Sequence, residues 1–280
     1  MSADLVRIPM PEALRAQAER PQHEIPEPKD AATIVVVRDG AEGLEAYLMR
    51  RQSSMAFAPG VYVFPGGGVL PEDWPGSEGD EVPWLGPDAS VWAARWRTDP
   101  DRAHALVVAA VRETFEETGI LLAGPDESSV LGDTVELEPL RDALEAREVR
   151  FGDILRERGL FLRADLVGAW AHWITPEFEP RRYDTRFFVA ALPPGQVVGS
   201  MSGEADRADW APLSTVLAAI DAGEAAMMPP TIATCREVSA YGATEIVAAA
   251  ADRTFPTIVP KLVEVDGDLF LETYLGEEDA

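Results

Sequence analysis

Three carboxylates, Glu113, Glu116 and Glu117, stand at positions i, i+3 and i+4 of one apolar-periodic stretch. On an α-helix that spacing puts them on a common face. Like charges one turn apart repel by roughly 0.2–0.5 kcal/mol per pair, so the cluster is unfavourable unless a cation neutralises it. An all-oxygen donor set selects a hard divalent ion, Mg2+ or Mn2+. The negative end of the helix dipole adds to the same demand. Arg112 adjoins the acids and can pair with Glu116 one turn on, holding that carboxylate in orientation. Alone, the helix is as compatible with a solvated acidic face. A second feature, Gly66-Gly67-Gly68 directly after a short strand, lets the backbone approach a ligand closely and frees carbonyls for a metal.

These groups need elements to hold them. Asp99 can cap a helix, Pro100 suits its first turn and Gly119 can end it. Along it Val107, Val111, Phe115 and Thr118 share one arc, and the three glutamates lie opposite. Ala109 and Ala110 flank the acids and are expected to leave room for an approaching group. Upstream, the β-branched run 31–38 reads as a buried strand, the stretch 44–51 as its hairpin partner and 61–64 as a short strand leading into the glycines. Residues 69–99 are rich in Pro, Gly and Asp yet hold Trp74, Trp84, Trp92 and Trp96. Side chains that large argue for a packed insertion, on this domain or on a second copy as a dimerisation arm. Downstream come charged helices within 135–159, strands at 166–174 and 183–192, a helix at 213–222, two more within 229–251, and a hairpin turning on Asp266-Gly267. This order predicts an α/β (α+β) sandwich rather than a regular βαβ series. The expected organisation is an arm (1–30), a main domain (31–213) and a helical C-terminal extension (214–280) packed on it.

The 280 residues carry 24 Lys+Arg against 49 Asp+Glu, a net charge of −25. That balance argues against a nucleic-acid partner, which requires a basic face. It also means that a phosphate-handling site here must recruit a metal. One cysteine, Cys235, permits no internal disulfide and fits a reducing, cytoplasmic setting. No apolar stretch approaches the ~20 residues of a membrane span, and the first 20 residues lack a signal-type apolar core. His172 and His104 are expected to be structural, Cys235 buried and inert. Zinc has no His/Cys cluster to bind it.

The segments Val63-Phe64-Pro65-Gly66-Gly67 and Arg112-Glu113-Thr114-Phe115-Glu116-Glu117-Thr118-Gly119-Ile120 together resemble the Nudix box, Gly-x5-Glu-x7-Arg-Glu-U-x-Glu-Glu-x-Gly-U with U apolar. The second half matches at Arg112, Glu113, Glu116, Glu117, Gly119 and Ile120, with Thr114 in place of an apolar residue. Gly67, however, precedes Arg112 by 45 positions instead of 14, so 31 residues are inserted. The first Glu of the box falls on Asp73 when counted from Gly67 and on His104 when counted back from Arg112, and its role stays open. A box split in this way resembles the Nudix motif 19 subfamily, whose members cleave coenzyme A and its esters. The flanks Trp173-Ile174-Thr175-Pro176 and Arg182-Tyr183-Asp184-Thr185-Arg186 agree with it.

The resemblance implies a Nudix α/β/α sandwich that hydrolyses a nucleoside diphosphate linked to another moiety. Glu116 and Glu117 would be metal ligands, Glu113 a further ligand or the base, the Gly67 carbonyl part of the inner shell, and Arg112 the residue that orients the glutamates. Glu204 is the first candidate for an additional acid, with Glu177 and Glu179 behind it. Arg50, Arg51, Arg181, Arg182 and Arg186 are candidates for the substrate's phosphates. A coenzyme A signature of another Nudix subfamily matches at Leu48, Arg51, Gly60 and Phe64 but not at Met49, Gln52 or Ala56. The expected substrate is CoA or acyl-CoA. The alternatives are ADP-ribose, NADH or a sugar nucleotide, or a Nudix module that senses a ligand without catalysis.

Overall fold

The computed structural model describes residues 4–10, 15, 18, 25–51, 60–76, 81–199 and 205–275. Its strands are β1 (Asp4–Pro9), β2 (Lys29–Gly40), β3 (Gly43–Arg51), β4 (Tyr62–Val63), β5 (Gly66–Gly68), β6 (Trp84–Leu85), β7 (Ala123–Gly124), β8 (Phe161–Arg163), β9 (Gly168–Ile174), β10 (Tyr183–Ala191), β11 (Ala205–Pro212), β12 (Thr257–Ile258), β13 (Lys261–Val265) and β14 (Asp268–Leu275). The helices are α1 (Ala89–Trp96), α2 (Pro100–Thr118), α3 (Glu138–Glu145), α4 (Phe151–Glu157), α5 (Leu213–Asp221), α6 (Pro229–Val238) and α7 (Ile246–Ala251).

The main sheet runs β11-β3-β2-β10-β9-β12, with β4 paired to β3 and β5 to β2. Strand β2 is parallel to β10. Its other edge is shared: β3 takes Val37–Gly40 and β5 takes Ala31–Thr33. The glycine run is therefore a strand, and the edge of β2 parts beside it. Both faces of the sheet are covered, which explains why β2 is apolar without alternation. Ala32, Ile34 and Val36 pack with α2 and α1, whereas Val35 and Val37 pack with Leu213, Cys235, Val238 and Ile246 of the C-terminal helices. The α/β/α sandwich expected from the sequence is the observed architecture, with α5–α7 as its second helical layer. Strand β1, from the arm, joins the β13–β14 hairpin in a separate three-stranded sheet. That hairpin turns with positive φ at both Asp266 and Gly267, the geometry the Asp-Gly pair favours.

The insertion is packed. Trp92 and Trp96 are buried, and each ring lies within 6 Å of Phe188 on β10. Trp84 stacks on His104 at 5.0 Å. Helix α2 starts on Asp99, whose side chain accepts from Arg102 N–H, and ends at Gly119 with φ 74°. Fourteen of its nineteen residues are buried. Ala109 and Ala110 do not flank an open approach: both are fully enclosed in the core between β2 and the insertion. No helix among the described residues is long and apolar enough to cross a membrane.

Candidate active site

The last turns of α2 meet β5 edge-on, and Arg112 joins the two. Its side chain is wholly buried. Nε and Nη2 donate to the two oxygens of Asp73, each at 2.9 Å. Nη1 donates to Glu113 Oε1 at 2.8 Å and to Glu116 Oε1 at 2.9 Å. Nη2 also reaches the Gly68 carbonyl at 3.0 Å. All five guanidinium donors are thus used. Burial disfavours the charge, but the hydrogen bonds and charges of Asp73, Glu113 and Glu116 outweigh it and raise the Arg112 pKa above its ordinary value. Arg112 fixes two glutamates of the helix against the glycine strand, a bidentate task for which lysine lacks the geometry.

Asp73 resolves the position that the sequence left open. It closes a 3-10 turn, Pro71–Asp73, its carboxylate also accepts from Leu70 N–H at 2.7 Å, and it is 1% exposed. His104 sits beside it with Nδ1 3.3 Å from the Asp73 carbonyl oxygen, as a packing residue. Residues 69–73 therefore stay with the site, and the inserted chain follows Asp73 instead of starting at residue 69.

The glycines are needed by close approach. A Cβ on Gly67 would lie 2.5 Å from the Glu113 carboxylate, and one on Gly66 would lie 2.6 Å from Thr33 Cα. Gly66 N–H donates to Glu117 Oε2 at 2.7 Å. Glu113 and Glu117 are thus brought to the glycine strand, and Glu116 is tied to it through Arg112. Burial, reinforced by Glu116 and opposed by Arg112, raises the Glu113 pKa to about 7. Burial likewise raises that of Glu116. Among the described residues no three acids, histidines or cysteines converge as a ready-made metal centre, and Arg112 and the Gly66 amide engage these carboxylates. The donor set nevertheless fits a hard divalent cation: all its ligand atoms are oxygens, acids exceed cations, and desolvation leaves their charge undercompensated.

Beside Glu117, with Glu113 and Glu116 set back from its wall, lies a cavity of about 380 Å³ where the edge of β2 parts. It is lined by Ala31–Thr33, Gly66–Gly68, Glu117, Met49, Arg51, Arg181 and the residues Tyr183, Thr185 and Phe187. Strand alternation sorts the candidate arginines. On β3, Met49 and Arg51 face the cavity and the exposed Arg50 does not. On β10, Tyr183, Thr185 and Phe187 face it, so Arg186 points away, buried against Asp184 and over the Trp96 ring. Arg182 is held by the carbonyls of Thr175 and Pro26, both at 3.0 Å. Among the described residues Arg51 and Arg181 are the two arginines on the cavity wall, whereas Arg50, Arg182 and Arg186 are not brought to it. Glu204 lies outside the described residues, and Glu177 is exposed. Tyr183, Thr185 and Phe187 escaped the sequence reading, although the period-two pattern of 183–187 marks one face. His172 donates from Nε2 to Asp184 at 2.5 Å and accepts at Nδ1 from Thr257 Oγ1 at 2.8 Å, a structural position. Cys235 is buried, which pushes its thiol pKa up to about 12.

Comparison with known proteins follows the same lines. The family model described as the NUDT19 Nudix domain matches residues 96–238, just over half of the chain. The acyl-coenzyme A diphosphatase NUDT19 of Xenopus laevis is 24% identical over 197 residues, 59% of this chain and 52% of the relative. The human protein of that name is 29% identical over 184 residues, 54% and 49% respectively. The chain spans about half the length of these curated relatives. A crystal structure of a Nudix hydrolase from Alicyclobacillus acidocaldarius superposes with TM-score 0.63 and 29% identity, covering 83% of this chain and 99% of that one. The split box, the glycine strand and these matches converge: the chain belongs to the NUDT19 Nudix domain family and is a Nudix hydrolase.

Proposed function

We propose that the protein hydrolyses the diphosphate of CoA or acyl-CoA with Mg2+ or Mn2+. The observation that carries this reading is the saturated Arg112 fork, which gathers Glu113 and Glu116 at the glycine strand beside a cavity walled by Arg51 and Arg181. Relatives called acyl-coenzyme A diphosphatases support the substrate class. Glu116, Glu117, Glu113 and the Gly67 carbonyl would hold the ion, which when bound polarises phosphoryl oxygens and lowers the pKa of water. Arg112 keeps Glu113 and Glu116 in place, and Asp73 keeps Arg112. Arg51 and Arg181 bind phosphate oxygens. Water adds to phosphorus and the anhydride P–O bond breaks, leaving (acyl-)phosphopantetheine and adenosine 3′,5′-bisphosphate with release of a proton.

The absence of an arginine at Ala56, where the other CoA signature has one, favours a second reading: a pyrophosphatase for ADP-ribose, NADH or a sugar nucleotide. A product assay with Mg2+ or Mn2+ against CoA, ADP-ribose and NADH separates the two. Turnover of CoA with release of adenosine 3′,5′-bisphosphate is expected; consumption of ADP-ribose with CoA untouched would overturn the substrate assignment.

A further inference from the structure

The main cavity has an annex. A second chamber of about 160 Å³ shares Tyr183, Thr185, Phe187 and Thr231 with it and extends beneath α6 and the β13–β14 hairpin. Its remaining walls are mostly apolar: Trp173, Ile174, Met228 and Leu271, with Pro176, Pro229, Pro230 and Pro260. No Arg or Lys lines it among the described residues, in contrast to Arg51 and Arg181 next door. A diphosphate therefore belongs in the first chamber, and an uncharged group in the second.

Two polar side chains break the apolar wall among the described residues: Thr175, whose hydroxyl accepts from Tyr183 N–H at 3.0 Å, and Glu179. Glu179 stands at the end of the turn whose Glu179 N–H donates to the Pro176 carbonyl at 3.2 Å. It is 3% exposed, and its Oε1 has no hydrogen-bond partner among the described residues. Burial raises its pKa, and in either protonation state the carboxyl offers an acceptor to an amide N–H. Buried polar atoms are nearly always paired, so an unpaired oxygen at an apolar chamber calls for a ligand group.

We infer that the annex is the subsite for the uncharged arm of the substrate beyond the diphosphate, and that Glu179 hydrogen-bonds an amide of that arm. This rests on the reading of the main cavity as a nucleoside-diphosphate site. It gives specificity a physical basis: a hydroxyl-rich sugar would leave its hydroxyls unpaired against proline and Leu271, whereas an amide-bearing aliphatic chain offers one polar group for Glu179 and methylenes for the rest.

Pantetheine, the arm without phosphate or nucleotide, tests the annex independently of catalysis. Calorimetric titration of the full chain should show saturable binding. Glu179→Gln, which keeps a donor and an acceptor, should bind within about twofold of wild type. Glu179→Met should bind about three- to tenfold more weakly, the loss of one hydrogen bond, and should raise KM for CoA by the same factor without changing kcat or the KM for ADP-ribose. Met228→Trp, which fills the chamber while leaving Glu179 in place, should abolish pantetheine binding and keeps the test open if Glu179→Met fails to fold. Absence of pantetheine binding to wild type, or binding as tight as wild type by Glu179→Met and Met228→Trp, overturns the inference. Pantetheine binding without any hydrolysis of CoA would overturn the proposed function and leave the annex standing.

Discussion

Helix α2 carries a charge network near each end, about 15 Å apart at 1.5 Å per residue. Near its start, Arg102 bonds Asp30 at 2.5–3.0 Å and Asp184 at 2.9 Å, Arg186 pairs with Asp184, and His172 completes the group. Near its end, Arg112 bonds Asp73, Glu113 and Glu116, with Glu117 alongside and the Arg147 charge acting on Glu116. The first network sets two guanidiniums against two carboxylates with a histidine that burial, against the pull of Asp184, keeps neutral. The second sets the Arg112 guanidinium, with Arg147 acting on Glu116 from farther off, against four carboxylates. Both pay for removing ions from water. Only the first closes its charge with its own residues, and the surplus of the second is what a catalytic cation would meet. Charge balance, more than burial, separates the structural network from the candidate site.

The sharpest way to break this contrast is to reduce the surplus. Glu116→Gln and Glu117→Gln should each lower kcat/KM by about a thousandfold, ~4 kcal/mol of transition-state stabilisation. Removing a repelling charge should leave the thermal midpoint unchanged or raise it. Steady-state assays with Mg2+ beside thermal denaturation check both halves. Activity that survives both substitutions would end the assignment of these glutamates to the metal.

The balanced network should respond in the opposite sense. Asp184→Asn leaves buried Arg186 with only Asp30, 4.0 Å away, as a counter-charge and should cost about 3 kcal/mol of stability, with kcat/KM for folded enzyme unchanged. Urea unfolding gives the first number and activity normalised to folded protein the second. A loss of turnover at undiminished stability would move Asp184 into the site.

Asp73→Asn lies between these two. It retains the turn but turns an amide against the Arg112 fork, and should cost ~2 kcal/mol of stability and about 10–100-fold in kcat/KM through misplaced glutamates. If stability falls and turnover does not, Arg112 orients nothing that the reaction uses.

Much of this architecture was legible in the chain. The ends of α2 are chemical signals, Asp99, Pro100 and Gly119, and each acts where it stands. The acid spacing and the glycine run are local too. What was not legible depends on pairing across the fold. Asp73 and His104 competed for one place in the box because 31 inserted residues break the count, and only the meeting of the 71–73 turn with α2 decides it. Arg186 read as a candidate for the substrate's phosphates because nothing local shows that β10 turns it toward Trp96 and Asp184. Ala109 and Ala110 read as open space because small residues mark close packing as readily as a groove.

The smallest effect expected is a pH slope that belongs to the balanced network alone. His172 is buried, its Nε2 donates to Asp184 and its Nδ1 accepts from Thr257, so its neutral form is the one the fold holds. Burial, opposed by Asp184 and assisted by Arg186, lowers its pKa below 6.5. The unfolded chain therefore takes up the proton first, near pH 6.5, and the folded state loses stability as pH falls from there to the lower folded value. Asp184 contributes nothing in that window: its pKa is depressed, burial being outweighed by His172 and Arg186, so its share is lost only in stronger acid. Urea unfolding of metal-free protein at pH 7.5 and 5.5 should show wild type losing more stability on acidification than His172→Gln, by less than the Asp184→Asn penalty. Equal losses in the two proteins would mean that His172 is already protonated in the fold, and the network would then carry a positive surplus instead of a balance.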